Sequence, residues 1–186
     1  MPEAERGGED TSAKIDRMSV NSSFLLILSE REAIRWVLAN GRMAFSAMKR
    51  REFAELAAGD QLLIVTTRGA YHNPGRDRAR VVGLATVTSQ VQELPEPVEL
   101  AGRVFPRGCE VRISALAPYP SGAELAPMVK ALETFRGLRG WAVLLRRPLL
   151  RVSASDARTL TRAARPYFGD LDKALASYMH LRPVRR

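Results

Sequence analysis

The stretch from Gly59 to Ser89 constrains this chain more than any other. It opens on the turn pair Gly59-Asp60 and enters a β-branched, apolar run, Gln61-Leu-Leu-Ile-Val-Thr-Thr67. A polar, arginine-bearing excursion follows from Arg68 to Arg80, and Val81-Val-Gly-Leu-Ala-Thr-Val-Thr88 closes the segment. Both apolar runs are too short and too sharply bounded for buried helices, so they read as two strands. A long loop between two apolar strands points to a rigid scaffold that carries a working loop.

The remaining segments arrange themselves around that pair. Met1 to Asn21 is polar with almost no large apolar residue and reads as a disordered tail. Phe24 to Leu28 is a first buried strand. Ser29-Glu-Arg-Glu32 has the form of a capping box for a helix that buries Ile34, Val37 and Leu38 and stops at Gly41. Arg42 to Ser46 is an edge strand or a loop at a barrel mouth, and Lys49 to Ala58 a short helix burying Phe53 and Leu56. Gly102 to Gly108 is a second polar loop, and Cys109 to Leu116 alternates charged with apolar residues as a half-exposed strand does. Ser121-Gly-Ala-Glu124 is a second capping box, ahead of a helix carrying Leu125, Val129 and Leu132. Trp141 to Leu145 and Leu149 to Val152 read as the last strands, and Ser153-Ala-Ser-Asp156 caps a helix to Ala164. Asp170 to Leu181 is an amphipathic helix followed by a basic tail. About six short strands without regular βαβ alternation, plus peripheral helices, predict an α+β fold built on a small mixed barrel. The expected boundaries are a tail over 1–21, a domain over 22–165, and a C-terminal helix and basic tail over 166–186.

Charge and missing chemistry narrow the function. The 29 Lys and Arg outnumber the 20 Asp and Glu, for a net charge of +9, and the acidic N-terminal tail leaves the remainder more basic still. Such an excess points to a polyanion, above all nucleic acid, DNA or RNA. The single cysteine, Cys109, excludes an internal disulfide and fits a reducing, cytoplasmic setting. No apolar run reaches the roughly 20 residues of a membrane span, and no secretory signal is visible. With two histidines, His72 and His180, far apart, no metal site is expected. Walker A, a dinucleotide glycine fingerprint and a nucleophile elbow are absent, so no cofactor is expected.

Within the excursion, Arg68, Arg76, Arg78 and Arg80 suit phosphates, and Tyr71 suits a stacked base. A solvated basic hairpin tip is the plainer alternative. Phe45, Tyr71, Phe105 and Trp141 fall in or beside loops at strand ends, where aromatics can wall a base pocket or simply pack an edge.

The order of these segments resembles the EVE domain, a PUA-like module related to the YTH and ASCH domains. The motifs that carry the resemblance are Phe24-Leu-Leu-Ile-Leu-Ser29, Gly59-Asp60 with the strand after it, Val82-Gly-Leu-Ala-Thr-Val87, Ala126-Pro-Met-Val-Lys-Ala-Leu132, Trp141-Ala-Val-Leu-Leu-Arg146 and Leu150-Arg-Val-Ser-Ala-Ser-Asp156. The resemblance spans roughly Ser23 to Ala164. It implies a PUA-like barrel that binds nucleic acid and holds one modified or flipped-out base at the barrel mouth. By similarity the pocket takes in Ser29, Phe45, Ser46, Thr66, Thr67 and Phe105, with Trp141 as a further wall; Phe45 stacks, and Ser46 and Thr67 meet the base edge. Phosphate contacts fall to Arg68, Tyr71, Arg76, Arg78, Arg80 and Arg146. Two departures stand out: a tryptophan of the related YTH pattern lies near Ala44, where this chain offers only the neighbouring Phe45, and Ala142 follows Trp141 where EVE domains commonly carry glycine. The ASCH relationship supplies an alternative, a hydrolase of a modified pyrimidine using Lys49 and Glu52. Ala47-Met-Lys-Arg-Arg-Glu-Phe-Ala54 keeps those two residues and lacks that motif's glycine and arginine.

Overall fold

Ser23–Leu28 (β1) lies between two strands. It runs parallel to Gln61–Thr66 (β3), pairing Ser23 with Gln61 and Leu28 with Thr66. On its other side it runs antiparallel to Leu149–Val152 (β8). The computed structural model describes residues 21–48 and 50–180. The expected tails, but for Asn21, the C-terminal Leu181 and Lys49 lie outside these residues.

The expected hairpin is present. β3 turns back antiparallel into Arg80–Val87 (β4), with Leu62 opposite Ala85 and Thr66 opposite Arg80. Gly59 adopts a φ of 95° at its entrance. Asp60 is buried beside it and ties the turn, accepting from the Ser22 amide at 2.7 Å and the Ala57 amide at 2.8 Å. β4 pairs in turn with Arg103–Leu116 (β6), and β6 with Arg42–Phe45 (β2), so the main path runs β2-β6-β4-β3-β1-β8. Gln92–Leu100 (β5) pairs with β6, and the two-residue Ala123–Glu124 (β7) with β4.

Strand alternation then makes two cores. Phe24, Leu26, Leu28, Leu62 and Ile64 point inward, to a cluster that also takes Met43, Phe45, Val87, Val111 and Leu116 from the curled remainder of the sheet. Leu25, Ile27, Leu63 and Val65 point the other way, onto Leu125, Leu132, Phe135, Leu145 and Leu160. The inner cluster is closed by Arg31–Asn40 (α1) through Ile34, Val37 and Leu38, by Phe53 of Arg51–Glu55 (α2), and by Leu171–Met179 (α4) through Ala174 and Tyr178. Ala154–Ala164 (α3) covers the outer face. Although α4 follows the boundary expected at 165, Tyr178 is 1% exposed and donates its hydroxyl to the Ala117 carbonyl at 2.9 Å, so the helix is part of the same body.

Close approach dictates the glycine at 108. Gly108 stands where β2 and β5 flank β6, and a Cβ there would run into the Met43 carbonyl, with Leu94 on the other side. Gly41 ends α1 at φ 58°, as expected of a left-handed cap.

Several local expectations give way. The Ser29 box does not form: α1 starts at Arg31 behind an extended Glu30, and Glu32 instead accepts from the Ala101 amide at the β5–β6 tip. The Ser121 box does not form either. Gly122 sits at φ 137°, Ala123 and Glu124 pair with β4, and only short 3-10 turns follow. Trp141–Arg146 is a 3-10 helix rather than a strand, with Trp141, Leu144 and Leu145 turned to the outer core. The polar loop expected over Gly102 to Gly108 is mostly the extended start of β6. The Ser153 cap holds, its hydroxyl accepting from the Asp156 amide at 3.1 Å.

Candidate nucleic-acid interface

The parallel register of β1 and β3 brings their C-terminal ends to one place, where β4 begins. Thr67 donates its amide to the Leu28 carbonyl at 3.2 Å, which sets Thr66 and Thr67 beside exposed Ser29. The excursion folds over this mouth as an ordered loop. Arg68 donates to the Pro74 carbonyl, and Arg78 to the carbonyls of Gly75 at 3.2 Å and Asp77 at 3.1 Å. Arg76 bonds Asp77 Oδ1 at 2.7 Å and the Tyr119 hydroxyl at 2.6 Å. Its guanidinium carbon lies 5.9 Å from the Tyr119 ring centre.

A shallow cleft opens under this loop. Thr66, Val82, Arg78 and Arg80 form one side, Tyr71 and Asp77 the loop side, and Tyr119, Pro120, Ser121 and Tyr178 the far wall. The Tyr71 and Tyr119 ring centres are 4.6 Å apart, and Tyr119 meets Tyr178 edge-on at 6.0 Å. Two buried polar atoms here, Tyr71 Oη and Asp77 Oδ2, have no hydrogen-bond partner. Leaving such a group unsatisfied costs about 1–3 kcal/mol. Burial, then the neighbouring Tyr178, Tyr119 and Asp77, push the Tyr71 phenol far up, so it stays protonated.

The expected site residues divide. Ser29, Thr66, Thr67, Arg68, Tyr71, Arg76, Arg78 and Arg80 gather at the mouth. Tyr71 is a cleft wall rather than an exposed backbone contact. Arg80 is held by the Gly122 carbonyl at 3.0 Å and by Glu124 at 2.8 Å, so it is spent within the fold rather than offered to phosphate. Phe45 is 2% exposed, packed on Phe53 with ring centres 4.2 Å apart, and presents no face for a base to stack on. Ser46 and Phe105 lie on the β2–β6 arm, with Phe105 opposite Val98. Trp141 is edge-on to Phe135 in the outer core, across the sheet from Phe45, so it walls no pocket with it; Arg146 is exposed at the end of the same 3-10 helix. Glu52 receives Arg147 Nη1 at 3.1 Å and is not among the cleft residues. Among the described residues, no group of three or more His, Cys, Asp or Glu is placed to hold a metal ion.

Sequence reading missed Asp77, Tyr119 and Tyr178. An aspartate between Arg76 and Arg78 was a visible signal, since one acid within a basic run is well placed to organise it. Tyr119 sits just ahead of the Ser121 box in a stretch that carries no motif, and Tyr178 on a helix face whose partner the sequence does not reveal.

No protein-family model matches the chain, and no curated protein matches it in sequence. Solved structures do match in shape. The YTH domain of Zygosaccharomyces rouxii MRB1, in complex with N6-methyladenosine RNA, superposes with a TM-score of 0.53 at 13% identity, covering 77% of this chain and 86% of that one. The Mmi1 YTH domain in complex with RNA gives 0.52 at 14% identity, covering 77% of each. The fold is PUA-like. Human THYN1, in complex with DNA containing 5-methylcytosine, gives 0.47 at 10% identity, over 76% of this chain and 96% of that one.

Proposed function

We propose that this chain is a nucleic-acid-binding module of the EVE type, holding one modified or extruded base at the mouth of its PUA-like barrel. The observation that carries this reading is the mouth itself: a cleft with unsatisfied polar groups beneath a loop whose exposed arginines face outward. The fold is shared with YTH domains solved with RNA, and the net charge of +9 agrees with a polyanionic partner. Thr66 lines the cleft with Ser29 and Thr67 beside it, and Arg68, Arg76 and Arg78 form the rim that meets phosphates.

Binding of matched single-stranded oligonucleotides, plain or carrying modified cytosine or adenine, tests this by fluorescence anisotropy over a salt series. Three rim contacts give a log–log salt slope of about −2. A modified base is expected to bind more tightly than its plain counterpart. Weak, salt-insensitive and indiscriminate binding overturns the proposal.

A further inference from the structure

The solvent face of α3 carries cations and no acid. Asp156, Ala157, Leu160 and Ala164 are buried, which leaves Ser155, Arg158, Thr159 and Arg162 exposed, and Arg165 continues the row into the next turn. Spacings of four and three residues set the three arginines on one side of the helix. The helix's one acid, Asp156, is turned inward and taken by Glu133 and Thr134. Among the described residues, the side chains of Arg158, Arg162 and Arg165 have no hydrogen-bond or ion-pair partner. Each arginine of the excursion, by contrast, is tied to a carbonyl or carboxylate of the fold. Attraction to the helix C-terminus favours cations only in the last turn, and Arg158 lies well before it.

The row leads to the mouth. Leu160 and Ala164 pack in the outer core with Ala123, which pairs with Val81 at the start of β4. Past Arg165 and the exposed Tyr167, the Gly169 amide donates to the Leu116 carbonyl at 3.2 Å. Gly169 lies against Pro118, next to the Tyr119 that walls the cleft. A rise of about 1.5 Å per residue puts Arg158 about 10 Å from Arg165 along the axis, enough for about three phosphates of a stacked strand at about 3.4 Å each.

We propose that α3 holds the phosphate backbone of a single nucleic-acid strand as it leaves the mouth, with Arg165, Arg162 and Arg158 meeting successive phosphates and Tyr167 stacking a base. This rests on the nucleic-acid reading above and extends its footprint from the loop rim to the outer face of the sheet. Each guanidinium has its donors free, so a phosphate oxygen displaces no bond already made. Phosphate contacts and ring stacking carry no base-edge readout, so this part of the footprint is indifferent to sequence.

The test is fluorescence anisotropy of the full chain with single strands of about 4 and about 12 nucleotides that share one central base, over a salt series. The short strand is expected to show only the rim's log–log slope of about −2, and the long one about −4. The triple change Arg158→Gln, Arg162→Gln and Arg165→Gln touches only exposed side chains, so it keeps the fold. It should return the long strand to about −2 and leave both the short strand and the preference for a modified base unchanged. Arg42→Gln, Arg103→Gln and Arg112→Gln together remove the same charge from exposed positions on β2 and β6, and should leave the long strand near −4. Tyr167→Ala should weaken the long strand about fivefold. Equal loss in the two triple variants, equal loss on both strand lengths, or an unchanged slope in the α3 variant overturns the inference. Failure of the two readings is distinguishable. Base-selective binding with no change in the α3 variant removes the path and leaves the module; no binding of either strand by the wild type removes both.

Discussion

Asp156 takes two hydrogen bonds from Thr134, one from its amide at 2.8 Å and one from its hydroxyl at 2.5 Å. A third comes from the Glu133 amide at 2.9 Å, so one carboxylate in the first turn of α3 fastens the 3-10 segment that covers the outer core. Burial raises the pKa of this group, but the Thr134 hydroxyl and amide, the Glu133 amide and the nearby Arg136 charge together hold it below the ordinary value. Asp156→Ala is expected to cost roughly 2–3 kcal/mol in urea unfolding. Because the folded value is the lower one, this contribution is complete above the ordinary aspartate range and fades as pH falls below about 4. The gap between wild type and variant should narrow in acid. A gap that is constant or widens there contradicts the assignment.

Tyr178 tests whether α4 is structural. Removing its ring leaves a hole in the inner core, and Tyr178→Ala should cost about 3–5 kcal/mol. Tyr178→Phe loses only the bond to the Ala117 carbonyl, about 1 kcal/mol. Thermal melts that place both variants at the wild-type midpoint would detach the helix from the fold.

Gly108 and Gly69 form a matched pair. Ala at Gly108 meets the Met43 carbonyl and Leu94 at the junction of three strands, and should destabilise by about 2–3 kcal/mol. Ala at Gly69 has no atom within 4 Å to meet and should stay within about 0.5 kcal/mol of wild type. Equal midpoints for the two would refute the close packing of β2, β5 and β6.

Cys109 is buried, and burial, followed by the Glu110 charge, pushes its thiol up to about 12. A protonated, covered sulfur does not attack thiol reagents. At pH 8 without denaturant, its labelling rate should equal the global opening rate and rise with urea as unfolding does. Rapid labelling of the native chain would count against its place in the core.

Fold was more legible than site. Gly59-Asp60, the two runs of the hairpin and the Ser153 cap were readable because local pattern and tertiary pairing agree there. Ser121-Gly-Ala-Glu124 misled because a capping box is a local preference, and pairing with Arg80 and Val81 outweighs it. Trp141 to Leu145 misled because a short apolar run has no decisive period. Only the burial of residues 141, 144 and 145, with 142 and 143 exposed, identifies the helical turn. At the mouth, the loop between two strands is where the sequence puts it, yet the partners its arginines find within the fold are not visible there. Their carbonyl and carboxylate partners lie within the loop or, for Arg80, some 42 to 44 positions away, and spacing alone does not reveal such pairs.

The placement of β1 between β3 and β8 sets how this chain reaches its fold. The Arg151 guanidinium meets the Ser22 hydroxyl across 129 positions, beside the antiparallel β1–β8 pair. Closing so wide a loop costs entropy before any contact offsets it. The β3–β4 hairpin, whose strands follow one another across a single loop, closes at lower entropic cost and is expected to nucleate first. Docking of β8 is expected to come late, with refolding on the millisecond-to-second scale of non-local β topologies. The loop from Arg68 to Arg80 then rides on the hairpin expected to form first, and the mouth is expected to be completed as distant segments arrive.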